Sequence, residues 1–142
     1  MQRYDYLKAI ASHAEDALAV CTGWAAREWC ALRPGEGNLK TRTLGLVSSI
    51  AAGLAIALPH RKVIALDGDG AFLMNLCGLP TIALQSPGNL IHLLFDNEIY
   101  EASGGTATAS RNSDAVTLAK GAGYRHALWV SNPGEFATEF TA

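Results

Sequence analysis

The sequence predicts an α/β fold, a parallel sheet flanked by helices on both faces, and three observations carry that reading. Two short runs of branched apolar residues, Val63 to Leu66 and Leu90 to Phe95, are bounded by Gly68, Gly70, Asp96 and Asn97. Such runs suit strands buried on both faces. Between them, Ala71 to Gln85 has the length and content of a crossover helix, which makes the whole a βαβ unit. Hydrophobic residues form 49% of the chain and charged residues 17%, the balance of a buried-sheet protein and not of a disordered one. At 142 residues the reading is one domain with a single core, spanning residues 1–142.

The other elements follow in order. Arg3 to Glu15 suits an amphipathic helix, with Tyr4, Leu7, Ile10 and Ala11 on one side. Ala17 to Cys21 reads as the first strand, ended by Thr22-Gly23, and Trp24 to Leu32 as a helix before the loop Arg33 to Asn38. Trp24 and Trp29 are expected to be packing residues, in a core or an interface, and not ligand stackers. Asn38 to Gly45 leads into an apolar helix from Leu46 to Leu58, whose small residues allow close approach of a neighbour. Pro59 to Lys62 is a turn, with His60 solvated. After Asn97, Glu98 to Thr106 is a glycine-bearing loop offering hydroxyls and backbone amides. Asp114 to Ala122 is a short helix capped by Ser113, His126 to Val130 a final strand, and Pro133 to Phe140 a last helix.

Several function classes are excluded. A net charge of −2 gives no electrostatic case for nucleic acid. The one long apolar run, Leu44 to Leu58, has 15 residues, short of the roughly 20 that span a bilayer, so no membrane role is expected. Met1 to Ala14 is polar and charged, unlike a secretory signal. Cys21, Cys30 and Cys77 show no C-x-x-C spacing and read as reduced, mostly buried thiols of a cytoplasmic protein.

The chemistry gathers at two strand tips. Asp69 follows the first strand of the βαβ unit and Asn97 the second, and open α/β sheets bind ligands at the carboxyl ends of their strands. A carboxylate and an amide oxygen beside a glycine turn and a helix start suit a hard cation and a phosphate. Gly68-Asp69-Gly70-Ala71-Phe72-Leu73 lacks the third glycine of a dinucleotide fingerprint, and no lysine follows its last glycine as a P-loop requires.

Gly68-Asp69-Gly70, with Asn97 placed 28 residues after the aspartate, resembles the thiamine-diphosphate signature that begins GDG and ends in Asn. The words GDGAFLMNLCGLPTIA and NLIHLLFDNEIYEASGG resemble the small diphosphate-binding subunit of sulfopyruvate and phosphonopyruvate decarboxylases, and the likeness runs from about Tyr4 to about Tyr124. It implies the thiamine-diphosphate-binding (PP-domain) fold, with thiamine diphosphate and Mg²⁺ as cofactors. By the same resemblance the cation ligands are the Asp69 carboxylate, the Asn97 side-chain oxygen and the Ile99 carbonyl. The amides of Gly68, Gly70 and Ala71 meet the phosphates, with Tyr100 on the far side. In Arg42-Thr43-Leu44-Gly45, Leu44 matches the apolar wedge beneath the cofactor, and the Arg42 carbonyl meets the aminopyrimidine, although Arg42 departs from the usual glycine. Plain core packing of Leu44 is the alternative. Family members usually continue into one more strand, so a C-terminal strand is either missing or the sheet is smaller.

The resemblance also implies decarboxylation of a small 2-oxoacid to an aldehyde and CO₂. The family's activating glutamate stands on a pyrimidine-binding domain, for which these residues leave no room. A separate pyrimidine-binding (alpha) subunit is therefore expected to complete the site in a hetero-oligomer, and no catalytic residue is assigned to this chain. Arg42, Ser103, Thr106 and Arg111 are candidates for meeting a sulfonate or phosphonate, Arg111 being the sort of residue usually found solvated. Three alternatives share the same words: a β subunit of 2-oxoacid:ferredoxin oxidoreductase, an acetolactate synthase-like enzyme, and a non-catalytic binding subunit.

Overall fold

The computed structural model describes residues 2–142; Met1, the first residue of the polar N-terminal stretch, lies outside them. Four parallel strands form the main sheet in the order β2-β1-β3-β4. They are β1 (Leu18–Cys21), β2 (Asn38–Lys40), β3 (Val63–Gly68) and β4 (Leu90–Phe95). Strand β3 is central, its first five residues buried, which explains why its sequence is an unbroken apolar run and not an alternation.

Alternate side chains of the inner strands feed two separate cores, as a two-residue strand period requires. On one face Ala19, Cys21, Ile64 and Leu66 pack with Leu7 and Ile10 of α1 (Arg3–Ala11), Trp29 of α2 (Gly23–Leu32) and Phe140 of α7 (Pro133–Thr141). On the other, Val20, Val63 and Ala65 pack with Val47, Ala51 and Ala55 of α3 (Val47–Ala57). Helices thus cover both faces. Trp29 is 1% exposed, and its indole N–H donates to Asn38 Oδ1 at 3.0 Å, tying α2 to the edge strand.

Four expectations need correction. The helix over Arg3 to Glu15 stops at Ala11 and tightens into a 3₁₀ turn over Ser12–Ala14. The crossover between β3 and β4 is not continuous: α4 (Asp69–Leu73) and α5 (Leu79–Gln85) are separate, with a 3₁₀ turn over Leu76–Gly78 between them. Pro80 lies in the first turn of α5, where its missing N–H costs nothing; inside one long helix it would remove a hydrogen bond and clash with the preceding turn. Asn75 breaks away at φ −140° and uses its amide elsewhere, as described below. Helix α6 (Ala115–Gly121) is capped by Asp114, whose Oδ1 accepts from the Thr117 N–H at 2.6 Å. Ser113 instead donates to the Ala109 carbonyl at 2.8 Å.

The fourth correction is the strand expected over His126 to Val130, which does not form. Trp129 donates its indole N–H to Asp114 Oδ2 at 2.9 Å and the Ser131 carbonyl accepts from Tyr6 Oη at 2.9 Å. The segment is thereby held between the start of α6 and α1, with Leu128 48% and Trp129 51% exposed. Conversely β2 was not foreseen; at three residues it is too short to show a period. In the glycine-bearing loop, β5 (Ile99–Tyr100) and β6 (Thr106–Ala107) pair antiparallel. Among the described residues no helix is long and apolar enough to cross a membrane.

A cleft at the strand tips

From β1 the chain steps outward to β2 and then returns through α3 to β3 on the opposite side. The order therefore reverses between β1 and β3, the place where such sheets bind ligands beyond their carboxyl ends. A small cleft, open to solvent, lies there. Thr22, Gly23, Trp24 and Ala25 wall it from the tip of β1, Asp67 to Ala71 from the tip of β3, and Asn97 with Ile99 to Ser103 from beyond β4.

Eight of the ten residues singled out for cofactor or cation contact line this cleft: Leu44, Gly68, Asp69, Gly70, Ala71, Asn97, Ile99 and Tyr100. Arg42 and Thr43 do not; both are exposed on the approach to α3. Leu44 is 39% exposed, so it is not a core residue. Its neighbour Gly45 has φ +84°, and a Cβ there would fall 3.2 Å from Met74 Cβ, so a side chain at this turn would be strained. Asn75, freed by the break after α4, donates to the Gly45 carbonyl at 2.7 Å and to Ser49 Oγ at 3.1 Å. The broken crossover thus fastens the turn that carries Leu44. Of the four substrate-contact candidates only Ser103 lines the cleft, and Arg111 pairs on the surface with Glu98 at 3.3 Å.

Asp69 is the most confined acid of the cleft wall after Asp67, at 3% and 1% exposure. Asp69 Oδ2 accepts from Thr108 Oγ1, and from Ser110 Oγ at 3.1 Å. No Lys or Arg among the described residues pairs with it. Asn97 Oδ1 accepts from the Ile99 N–H at 3.2 Å and its amide nitrogen donates to Glu101 Oε2 at 3.3 Å. Glu101 in turn meets Arg3 Nη1 at 2.9 Å, and Arg3 also holds Glu28. Between Asn97 and Ile99, Glu98 sits at φ +60°, a left-handed conformation that costs a side chain about 1 kcal/mol or more and brings the chain sharply round.

A buried carboxylate without a basic partner suits a divalent cation better than a neutral ligand. The donor set of one carboxylate, one amide oxygen and a backbone carbonyl is of the kind magnesium takes alongside phosphate oxygens. Among the described residues no group of three or more His, Cys, Asp or Glu converges, as a zinc or iron centre would need. Space at the glycines is divided. A Cβ on Gly68 would meet nothing within 4 Å, whereas one on Gly70 would fall 2.7 Å from Tyr100 Cδ1. Glycine at 70 therefore leaves room for the Tyr100 ring.

Trp24 and Asp67 in the cleft wall, and Thr108 and Ser110 behind it, take places that the sequence reading did not give them. Trp24 is not core: it is 41% exposed, and the Arg27 guanidinium lies 4.6 Å from its ring centroid. Asp67, whose carboxylate accepts from the Gly68 N–H at 3.0 Å and lies 3.4 Å from His92 Nε2, was visible as an acid inside an apolar strand. Thr108 and Ser110 carried no signal, since their partner lies about forty residues earlier. Of the thiols, Cys21 is buried, Cys30 half-buried and Cys77 exposed, all three free.

A parallel sheet with its cleft at the switch point, an acid at one strand tip and an amide at the next, is the arrangement of a ligand-binding α/β domain. Residues 19–142 match the family described as thiamine pyrophosphate enzyme, C-terminal TPP binding domain, and the chain belongs to it. It is 38% identical over 126 residues to a sulfopyruvate decarboxylase subunit beta of Methanothermobacter thermautotrophicus, covering 87% of this chain and 68% of that one. A sulfopyruvate decarboxylase subunit beta of Methanocaldococcus jannaschii is 33% identical over 98% of this chain and 75% of its own length. A phosphonopyruvate decarboxylase of Streptomyces hygroscopicus is 36% identical over 77% of this chain, which spans only 27% of it.

Proposed function

We propose that this chain is the cofactor-binding part of a thiamine-diphosphate-dependent 2-oxoacid decarboxylase, which converts sulfopyruvate or phosphonopyruvate to an aldehyde and CO₂ in the cytoplasm. One observation carries the reading: Asp69, Asn97 and Ile99, drawn from two strand tips, line one cleft with the Gly68–Ala71 turn. The names of the two β-subunit relatives and of the phosphonopyruvate decarboxylase support the substrate class. Free thiols support a reducing compartment.

When bound, thiamine diphosphate supplies the electron sink that makes loss of CO₂ from a 2-oxoacid feasible. The chain's own part is to bind and orient. Asp69, the Asn97 side-chain oxygen and the Ile99 carbonyl would hold Mg²⁺, and the amides of Gly68, Gly70 and Ala71 with Tyr100 would receive the phosphates. Leu44, fixed through Gly45 by Asn75, is the apolar surface on which the cofactor would fold, with Arg42 and Thr43 bordering it. Glutamate activation of the aminopyrimidine is assigned to a separate pyrimidine-binding subunit, which agrees with relatives named as β subunits. A second arrangement, with both halves on one polypeptide, is favoured by the phosphonopyruvate decarboxylase, of which this chain spans about a quarter.

The test is to express the chain with its pyrimidine-binding partner and to assay aldehyde and CO₂ release from a panel of 2-oxoacids. Release that needs both thiamine diphosphate and Mg²⁺, with sulfopyruvate or phosphonopyruvate preferred, is the expected result. A complex that retains the cofactor yet releases no CO₂ from any 2-oxoacid would make it a non-catalytic binding subunit.

A further inference from the structure

Asp69 does not stand alone at the tip of β3. Thr108, 5% exposed, lies just beyond β6 and returns across the cleft wall to place its hydroxyl on Asp69 Oδ2. It is fixed from two sides: its own N–H donates to the Glu98 carbonyl at 2.9 Å, and its Oγ1 accepts from the Ser110 N–H at 3.4 Å. Ser110 Oγ adds a second contact to the same Asp69 oxygen at 3.1 Å and also reaches Asp96 Oδ1 at 3.0 Å. The two hydroxyls lie 2.8 Å apart. The turn that carries Asn97 and Ile99 is therefore stitched to the aspartate of the neighbouring strand by two side chains that line no part of the cleft.

Counting protons makes the arrangement specific. Each hydroxyl has one proton to donate, and an ionised carboxylate only accepts. Thr108–Asp69, Ser110–Asp69, Ser110–Asp96 and Thr108–Ser110 are four oxygen–oxygen contacts, so two hydroxyl protons cannot serve them all. Both hydroxyls fall on Oδ2, and among the described residues no side chain donates to Oδ1. A carboxylate gripped through one oxygen has its other oxygen set in direction.

We infer that Thr108 is the positioning residue of the cation site: its hydroxyl holds Asp69 Oδ2 so that Oδ1 is presented to the ion, with Ser110 in support. This rests on the cation site proposed above. Hydrogen-bond partners of this kind set ligand orientation, and their loss usually weakens metal binding about 10- to 100-fold.

The probe is Mn²⁺ with inorganic pyrophosphate, which needs nothing from a second subunit, read by electron paramagnetic resonance on the full chain. Thr108→Val keeps the side-chain shape without the hydroxyl, and Thr108→Ser keeps the hydroxyl without the methyl. The expected result is Mn²⁺ affinity about 10- to 100-fold weaker for Thr108→Val and close to wild type for Thr108→Ser, whatever either does to the melting temperature. Ser110→Ala provides a milder variant, expected to weaken Mn²⁺ binding about 10-fold, the lower end of that range. Equal affinity in Thr108→Val and wild type, while Asp69→Ala loses the ion, overturns this inference alone. Equal weakening in Thr108→Val and Thr108→Ser also overturns it, because a packing role would do that. Failure of the wild-type chain to bind Mn²⁺ overturns the cation site and this inference together.

Discussion

Replacing Gly70 by alanine tests how the turn after β3 and the hairpin beyond β4 fit together. A Cβ at position 70 would fall 2.7 Å from Tyr100 Cδ1 and closer still to Cε1. Carbon atoms in contact sit roughly 3.5–4.0 Å apart, so the ring has to move by about 1 Å or more. The backbone of Gly70 lies in helix α4, so the penalty comes from the clash and not from φ. Overpacking of this kind costs about 1–3 kcal/mol, which for a chain of this size lowers the melting temperature by roughly 3–10 °C. The assay is urea denaturation followed by circular dichroism on wild type, Gly70→Ala, Tyr100→Ala and the double variant. With the ring gone the clash goes too, so the double variant should be more stable than the sum of the single effects by about 1–3 kcal/mol. Additivity within about 0.5 kcal/mol would refute the reasoning and place the Tyr100 ring elsewhere in solution.

Three further outcomes follow from the geometry. Trp29→Ala removes the largest fully buried side chain and its bond to Asn38, and should cost about 3–5 kcal/mol, measured by the same denaturation. Burial, with Cys30 nearby, pushes the Cys21 thiol up to about 12, whereas Cys77 is exposed. Native-state alkylation mapped by mass spectrometry should therefore modify Cys77 first and leave Cys21 intact; early loss of Cys21 would contradict the buried assignment. Hydrogen bonds from Thr117 and Trp129 hold the Asp114 carboxyl below its ordinary value. A carboxyl depressed on folding adds stability above its unfolded value, and that share is lost as pH falls through the folded one. Asp114→Asn keeps a capping oxygen but cannot ionise, so its deficit against wild type should shrink as acid is added; a deficit constant with pH would refute the assignment.

The sequence carries the parallel sheet clearly because β3 is buried and β4 partly buried, and both are written in largely apolar runs. Asp69 and Asn97 were legible for a related reason, being polar residues placed where those runs end. What escaped was decided by tertiary contacts. The apolar run His126 to Val130 has the composition of a strand, but Trp129 is committed to Asp114 and no sheet hydrogen bonds form. Helix propensity spans Ala71 to Gln85, yet Asn75 leaves the helix to hold Gly45 and Ser49. Trp24 looks like a core aromatic and instead borders the cleft, carrying Arg27 on its face. Thr108 and Ser110 lie in a stretch of small polar residues, where nothing marks a hydroxyl that will meet a distant acid.

In the proposed site two neighbouring strand tips share one cation and a diphosphate. Crystals of the chain grown with Mn²⁺ and thiamine diphosphate, with anomalous diffraction recorded at the manganese edge, test it most directly. A single strong peak touching Asp69, Asn97 and the Ile99 carbonyl is expected, absent in Asp69→Ala. A peak that leaves either side chain untouched, or one that persists in Asp69→Ala, would contradict it.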